Sequence, residues 1–339
     1  EKDCIEAPNG ACFRNREGVL PTIIAELHKA REKAKAEKRE LSSYAIKIIM
    51  NSFFGAMASP NSRYFIYDLG NATTNFGQKI IKLTVEKLEE KGLKVIYGDT
   101  DSVFVETGMD EHKANKLAKE IGKEINLFYQ NYVKKEYNRT SYLDLEFKKQ
   151  YLSMMIPSVR KKEKKDEGGN EVKSKAAKKR YAGLVINSHG KEELEITGLE
   201  AIRGDWTEAA QDFQRELLMR VFQKKEIEGF IKEYTKKIKD GKIDSKLLYR
   251  KSIRKDLGEY TKTTPPHVKA ARKLDKLESN IIEYYITLDG PEPVQKLKHK
   301  LDYGHYIDKQ IKPIADQVLD LFGKSFEDLV SGSKQRKLF

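Results

Sequence analysis

Residues 94–105 read KVIYGDTDSVFV, and this stretch constrains the fold of the chain more than any other. Two short apolar runs, Val95-Ile96-Tyr97 and Val103-Phe104-Val105, flank Gly98-Asp99-Thr100-Asp101-Ser102. β-Branched and aromatic residues on either side of a Gly/Asp/Ser centre predict a β-hairpin with Asp99 and Asp101 together at its tip. Two carboxylates held that close repel unless a cation neutralises them or one takes up a proton. The pair therefore points to a hard divalent ion with oxygen ligands, Mg²⁺ first. The plain alternative is an acidic turn, since Asp is a favoured turn residue.

The whole hexapeptide Tyr97-Gly98-Asp99-Thr100-Asp101-Ser102 resembles the main palm carboxylate motif of the family B DNA polymerases. The resemblance implies that Asp101 ligates both catalytic metals, with Asp99 beside the site in support. It implies two Mg²⁺ ions, replaceable by Mn²⁺.

The segment before this hairpin is helical in pattern. From Thr22, Ile23, Ile24, Leu27, Ala30 and Ala34 mark one face, and Arg31 and Lys35 project four residues apart from one side. A break at 37–40 precedes a second helix, for which Ser42 or Ser43 is the expected N-cap. That helix carries KIIMNSFFG, with Lys47 and Asn51 on one face. Two antiparallel helices presenting cations inward can clamp a triphosphate through charge-assisted contacts. The spelling resembles the family B fingers motif, which implies that Lys47, Asn51, Arg31 and Lys35 bind the incoming dNTP and that Lys47 acts in catalysis. Phe54 stands where most members carry Tyr. The resemblance implies that the ring still packs near the nascent base pair, with any hydrogen bond from the hydroxyl lost.

Residues 56–92 read as palm support: a turn and short strand over Asn61–Tyr67, then an amphipathic helix over Asn71–Lys91 stopped by Gly92. A further helix is expected over Asp110–Asn131. Leu143-Asp144-Leu145-Glu146-Phe147-Lys148 alternates like a strand and resembles the family's acidic LELEYE strand. Asp144 and Glu146 keep two of its carboxylates, making Glu146 a candidate metal ligand, while Lys148 replaces the last.

Residues 160–179 are rich in Lys, Glu and Gly and read as a flexible hairpin tip. The Lys178-Lys179-Arg180-Tyr181 that follows resembles the family's KKRY, implying contacts to the primer–template backbone that position the duplex without reading its sequence. Gly198–Trp206 resembles the palm-to-thumb junction, packed by Trp206. Residues 247–272 interleave cations with aromatics, and resemble the thumb segment in which a basic strand leads to Tyr and then Pro-His-Val. Arg250, Lys251, Arg254, Tyr260 and His267 are the implied duplex contacts. Strands are expected within 279–293 and closing helices over 302–330. Gln335, Leu338 and Phe339 end the chain after a Gly-Ser linker as a QxxLF peptide. It resembles the sliding-clamp tail of the bacterial DNA polymerase II branch, whose motif order this chain follows most closely.

Net charge is +13, with 65 Lys and Arg against 52 Asp and Glu, which suits a polyanionic partner. No apolar run approaches the roughly 20 residues needed to span a bilayer, so no membrane role is expected. With only Cys4 and Cys12, neither a disulfide framework nor a Cys-based zinc site is expected, which points to a reducing compartment. Together with the resemblance this implies the cytoplasm of a prokaryote or phage-infected cell, in association with the nucleoid.

The expected fold is therefore α+β, a partial right-hand polymerase. It comprises a palm segment entering the fingers (1–21), helical fingers (22–54), an antiparallel-sheet palm with helices on one face (55–203), a mostly helical thumb (204–330) and a clamp-binding tail (331–339). The family's upstream D-x-x-S-L-Y-P-S motif, which holds the first catalytic Asp, does not occur, nor do the N-terminal and exonuclease domains. The first residue, Glu1, fits a fragment, a processed product or a trimmed chain. The expected function is dNTP addition to a primer 3′-hydroxyl by two-metal phosphoryl transfer, once a second polypeptide or upstream part supplies that Asp. The alternatives are a non-catalytic DNA-binding and clamp-tethering subunit and, with no account of the other motifs, an unrelated phosphotransfer or nuclease palm.

Overall fold

The computed structural model describes residues 4–157, 178–187, 189–261 and 264–331. The chain divides into two compact units, Glu1–Lys148 and Lys149–Phe339. The expected flexible tip at 160–179 falls almost wholly outside the described residues, and the Gln335, Leu338 and Phe339 tail entirely so.

The first unit opens with an antiparallel hairpin, β1 (Cys4–Glu6) and β2 (Cys12–Arg14). Cys4 and Cys12 sit diagonally across it, 5.7 Å apart at Cα, and are joined by a disulfide. The sequence predicts no disulfide framework from these two cysteines, yet one bridge forms within the hairpin. Two thiols eight residues apart meet once a turn pairs Glu6 with Cys12.

Helix α1 (Val19–Ala36) starts three residues before the expected point, with Pro21 in its first turn, where a missing N–H costs nothing. It ends in a tight reversal. The Lys38 N–H donates to Lys35 O (3.0 Å) and the Arg39 N–H to Ala34 O (2.8 Å), with Lys38 left-handed at φ 56°. Because this turn is only three residues long, α2 (Glu40–Ala58) begins at once, with Arg39 at its N-cap. Ser42 and Ser43, the expected caps, lie inside its first turn.

The expected strand over Asn61–Tyr67 is not formed. Turns lead directly into α3 (Tyr67–Glu89), which Gly92 terminates at φ 76°. The hairpin β3 (Lys94–Asp99) and β4 (Ser102–Glu106) follows, then α4 (Glu111–Tyr137). The Asp110 side chain caps α4 by accepting the Lys113 N–H (3.0 Å), and left-handed Asn138 ends it. The helix runs six residues past its expected end. Helices α3 and α4 meet through Thr84 and Tyr129, whose hydroxyls lie 2.6 Å apart, beside buried Leu88 and Ile125.

The second unit is built on two antiparallel three-stranded sheets. One orders β5 (Ser153–Met155), β6 (Tyr181–Ile186) and β7 (Glu192–Thr197) as β5-β6-β7. A 3-10 turn, Glu200–Ile202, leads into α5 (Glu208–Phe222) and α6 (Glu228–Lys239). Next come β8 (Tyr249–Ser252), α7 (Pro266–Ala271), β9 (Ile281–Thr287) and β10 (Gly290–Pro293), with sheet order β10-β9-β8. Helices α8 (Tyr303–Tyr306), α9 (Lys312–Leu319) and α10 (Phe326–Ser331) close the unit.

Its core is continuous. Phe213, Leu217, Ile231, Ile311 and Leu319 are fully buried, and each large apolar side chain removed from water contributes about 1.5–3 kcal/mol. The first unit differs. Among its described residues few large apolar side chains are fully buried, while Leu41 (88% exposed), Tyr44, Tyr64, Ile66, Tyr67 and Tyr142 lie open. The whole is α+β with antiparallel sheets throughout.

Candidate functional site

The predicted 94–105 hairpin forms. Asp99 pairs with Ser102, leaving Thr100 and Asp101 as a two-residue loop. Such a loop needs a positive φ, which Thr100 supplies at 55°. The Asp101 N–H donates to Asp99 O (2.7 Å), and the Thr100 hydroxyl donates to Asp99 Oδ1 (3.1 Å). Asp101 is exposed and Asp99 half-buried. The register shifts between Val95 and Tyr97, making Ile96 a bulge three residue pairs from the tip.

Arg31, Lys35, Lys47 and Asn51 are carried on the α1–α2 helical hairpin. Counting outward from Lys38, Lys47 sits two residues beyond the level of Arg31, an axial offset of roughly 3 Å. Lys47, Asn51 and Phe54 are exposed. Lys35 pairs with Glu32 at 2.9 Å, and the Arg31 Nε is buried without a hydrogen-bond partner.

Leu143–Lys148 does not form the expected strand. Its alternation is satisfied by a side chain instead. Asn126 on α4 accepts the Leu145 N–H (2.7 Å) and donates to Leu145 O (3.2 Å) and Asp144 Oδ1 (3.0 Å). Gly122 lets the segment approach, since a Cβ there would stand 3.2 Å from Leu145 O. Asp144 and Glu146 both remain exposed.

In the second unit Lys178 and Lys179 are exposed, with Lys179 left-handed at φ 58°. Arg180 turns inward, donating from Nη2 to Glu200, and Tyr181 begins β6. On β8 the alternation points Arg250 outward, 3.5 Å from Glu283, and leaves Lys251 half-buried. Lys251 acts on two neighbours. The His267 imidazole is held below its usual range by burial and then by the Lys251 charge. Burial opposes ionisation of Asp205, but Arg203 and Lys251 keep its carboxyl below the ordinary value. Arg254 is exposed, and its N–H donates to the Tyr260 hydroxyl (3.2 Å).

A sequence profile described as DNA polymerase family B matches residues 4–176 and 175–318. The chain belongs to DNA polymerase family B. It is 34% identical over 335 residues to DNA polymerase II of Escherichia coli (strain K12), covering 95% of this chain and 41% of that protein. It is 29% identical over 343 residues to a DNA polymerase of Thermococcus sp. (strain 9oN-7), covering 92% and 40%. In fold it resembles the family B DNA polymerase of Pyrobaculum calidifontis, with a TM-score of 0.62 at 23% identity, covering 96% of this chain and 41% of that one. The chain thus spans about two fifths of the length of these relatives.

Within this family B chain, the one grouping of three ligand-bearing acids or histidines among the described residues is Asp289, Glu292 and His299. Asp99, Asp101 and Glu146 do not converge in that way. The grouping is already satisfied by protein. Glu292 accepts the N–H groups of Lys298 (2.9 Å) and His299 (3.1 Å), the His299 ring approaches to 2.6 Å, and the Lys273 ammonium lies 3.6 Å away. At the hairpin tip Asp101 carries an exposed carboxylate beside half-buried Asp99, and Mg²⁺ is usually held by one or two carboxylates with substrate phosphates and water.

Three supporting residues escaped the sequence reading: Asn126, Glu200 and Arg272. Arg272 donates to Leu257 O (2.8 Å) and Tyr260 O (3.2 Å), fixing the loop that carries Arg254 and Tyr260. Each acts through a backbone or ion-pair partner 12 or more residues away, a signal that no local pattern carries.

Proposed function

We propose that this chain is the fingers–palm–thumb portion of a DNA-directed DNA polymerase, with fingers at 22–54, palm at 55–203 and thumb at 204–330. The observation that carries this reading is the Asp99–Asp101 hairpin tip in a chain of the family. Asp101, supported by Asp99, holds Mg²⁺, with Glu146 a further ligand. The chemistry supplied with two such ions bound is activation of the primer 3′-hydroxyl and neutralisation of the departing pyrophosphate. Arg31, Lys35, Lys47 and Asn51 orient the dNTP triphosphate, and Phe54 packs by the base pair. Lys178, Lys179 and Tyr181, with Arg250, Lys251, Arg254, Tyr260 and His267, grip the primer–template, and Gln335, Leu338 and Phe339 dock on a sliding clamp.

The first catalytic Asp of the family pattern and an exonuclease come from a further polypeptide or upstream part. The open apolar side chains of the first unit support this reading. Leu41, Tyr44, Ile48 and Tyr64–Tyr67 are of the kind that mark a contact surface.

Primer extension tests the proposal, using this chain alone and with a polypeptide supplying the upstream portion. Extension appears only in the mixture, and Asp101→Asn abolishes it while primer–template binding survives. Full extension by Asp101→Asn would leave the non-catalytic tether as the reading, which Phe54 and Lys148, as departures from the family pattern, favour.

A further inference from the structure

We infer that Glu200 is a positioning residue that registers the basic turn 178–181 on helices α5 and α9, with Arg180 serving as its internal counter-ion and not as a phosphate contact. The inference rests on the reading of that turn as a DNA contact.

The Glu200 side chain is 3% exposed. Its two oxygens are shared among three elements. Arg180 donates from the turn, Gln214 Nε2 from α5 (2.8 Å) and Gln317 Nε2 from α9 (3.4 Å). Gln214 in turn accepts the Ala201 N–H (2.5 Å). Burial opposes ionisation of Glu200, but the Gln214 amide and Arg180 hold its carboxyl below the usual range. A buried, ionised, multiply bonded carboxylate has one low-energy arrangement of its partners, so it transmits position.

The turn is fixed from the other side as well. Tyr181 pairs with Thr197, and Gly198, at φ 63°, lies where any Cβ would stand 2.0 Å from Lys179 O. With Arg180 turned inward, Lys178 and Lys179 are the exposed cations of the turn. The direction and spacing of those lysines are therefore set by Glu200.

The test is fluorescence anisotropy of the full chain with a primer–template across a salt series, alongside a melting curve for each variant. Near a polyanion, deleting a negative charge that has no positioning role tightens binding or leaves it unchanged. The inference predicts the reverse for Glu200→Gln: affinity falls about tenfold at a temperature where the variant is folded. The slope of log affinity against log salt shrinks by about one unit, one phosphate contact. Arg180→Lys, which keeps the charge and loses the fork, weakens binding similarly, and the double variant is no worse than either single one.

Unchanged or tighter binding by Glu200→Gln overturns the inference, as does additivity in the double variant. If Glu200→Gln does not fold, unchanged binding by Arg180→Lys overturns it. Lys178→Ala and Lys179→Ala separate the two levels of the argument. If they leave binding intact, the turn is not a DNA contact and both readings fall. If they weaken it while Glu200→Gln does not, only the positioning role falls.

Discussion

Gly198 and Lys179 touch through backbone alone: a Cβ on Gly198 would sit 2.0 Å from the Lys179 carbonyl oxygen, and both residues occupy the left-handed region, at φ 63° and 58°. Gly198→Ala meets both obstacles. Left-handed backbone costs an L-residue about 1–2 kcal/mol, and displacement of the Lys179 carbonyl adds to it. We expect a lowered melting temperature by circular dichroism and weaker primer–template binding. An unchanged melting curve would show that the two backbones are further apart.

The disulfide between Cys4 and Cys12 closes a short loop whose two cysteines are exposed. Chain entropy for a loop of this size corresponds to about 2–3 kcal/mol. Dithiothreitol or Cys4→Ser is expected to lower the melting point of the first unit, and thiol titration of the unreduced, denatured chain to find no free thiol. Two reactive thiols in that titration would refute the pairing.

Glu292 sets an acid limit for the second unit. Burial opposes its ionisation, but the Lys298 N–H, the His299 ring and the His299 N–H hold its carboxyl down to about 2, against 4.5 for the free side chain. A depressed folded value stabilises fully above the unfolded one and fades as pH falls through the folded one. The loss therefore spans about pH 4.5 to 2. Glu292→Gln should flatten the melting temperature across that window. A variant as acid-sensitive as the parent there would exclude Glu292 as the cause.

Asn126 carries the 143–148 segment through three hydrogen bonds. Asn126→Ala leaves the half-buried Leu145 N–H and carbonyl without their partner, at about 0.5–1.5 kcal/mol for each hydrogen bond lost. Hydrogen exchange at the Leu145 amide should accelerate by tenfold or more. If it does not, another group holds that strand-like segment.

The features legible beforehand were those whose cause lies within a few residues. The hairpin at 94–105 and the Gly92 stop each follow from a turn or stop residue beside a periodic run. The misses have causes further off. Leu143–Lys148 has the right alternation for a strand, but its hydrogen-bonding partner is a side-chain amide about twenty residues upstream. Ser42 and Ser43 suit a cap, but the Lys38 reversal starts the helix earlier. Arg180 reads as one more cation in a basic run until buried Glu200 is seen to pair with it.

The bulge at Ile96 makes the first arm of the hairpin one residue longer than the second between Val95 and Asp99. Side chains alternate faces at every step, so what aims Asp99 and Asp101 is a tally of residues, not their kinds. Deleting Ile96 would turn Asp99, and with it the loop that carries Asp101, to the opposite face relative to Val95. In this part of the chain, length is under stricter control than chemistry.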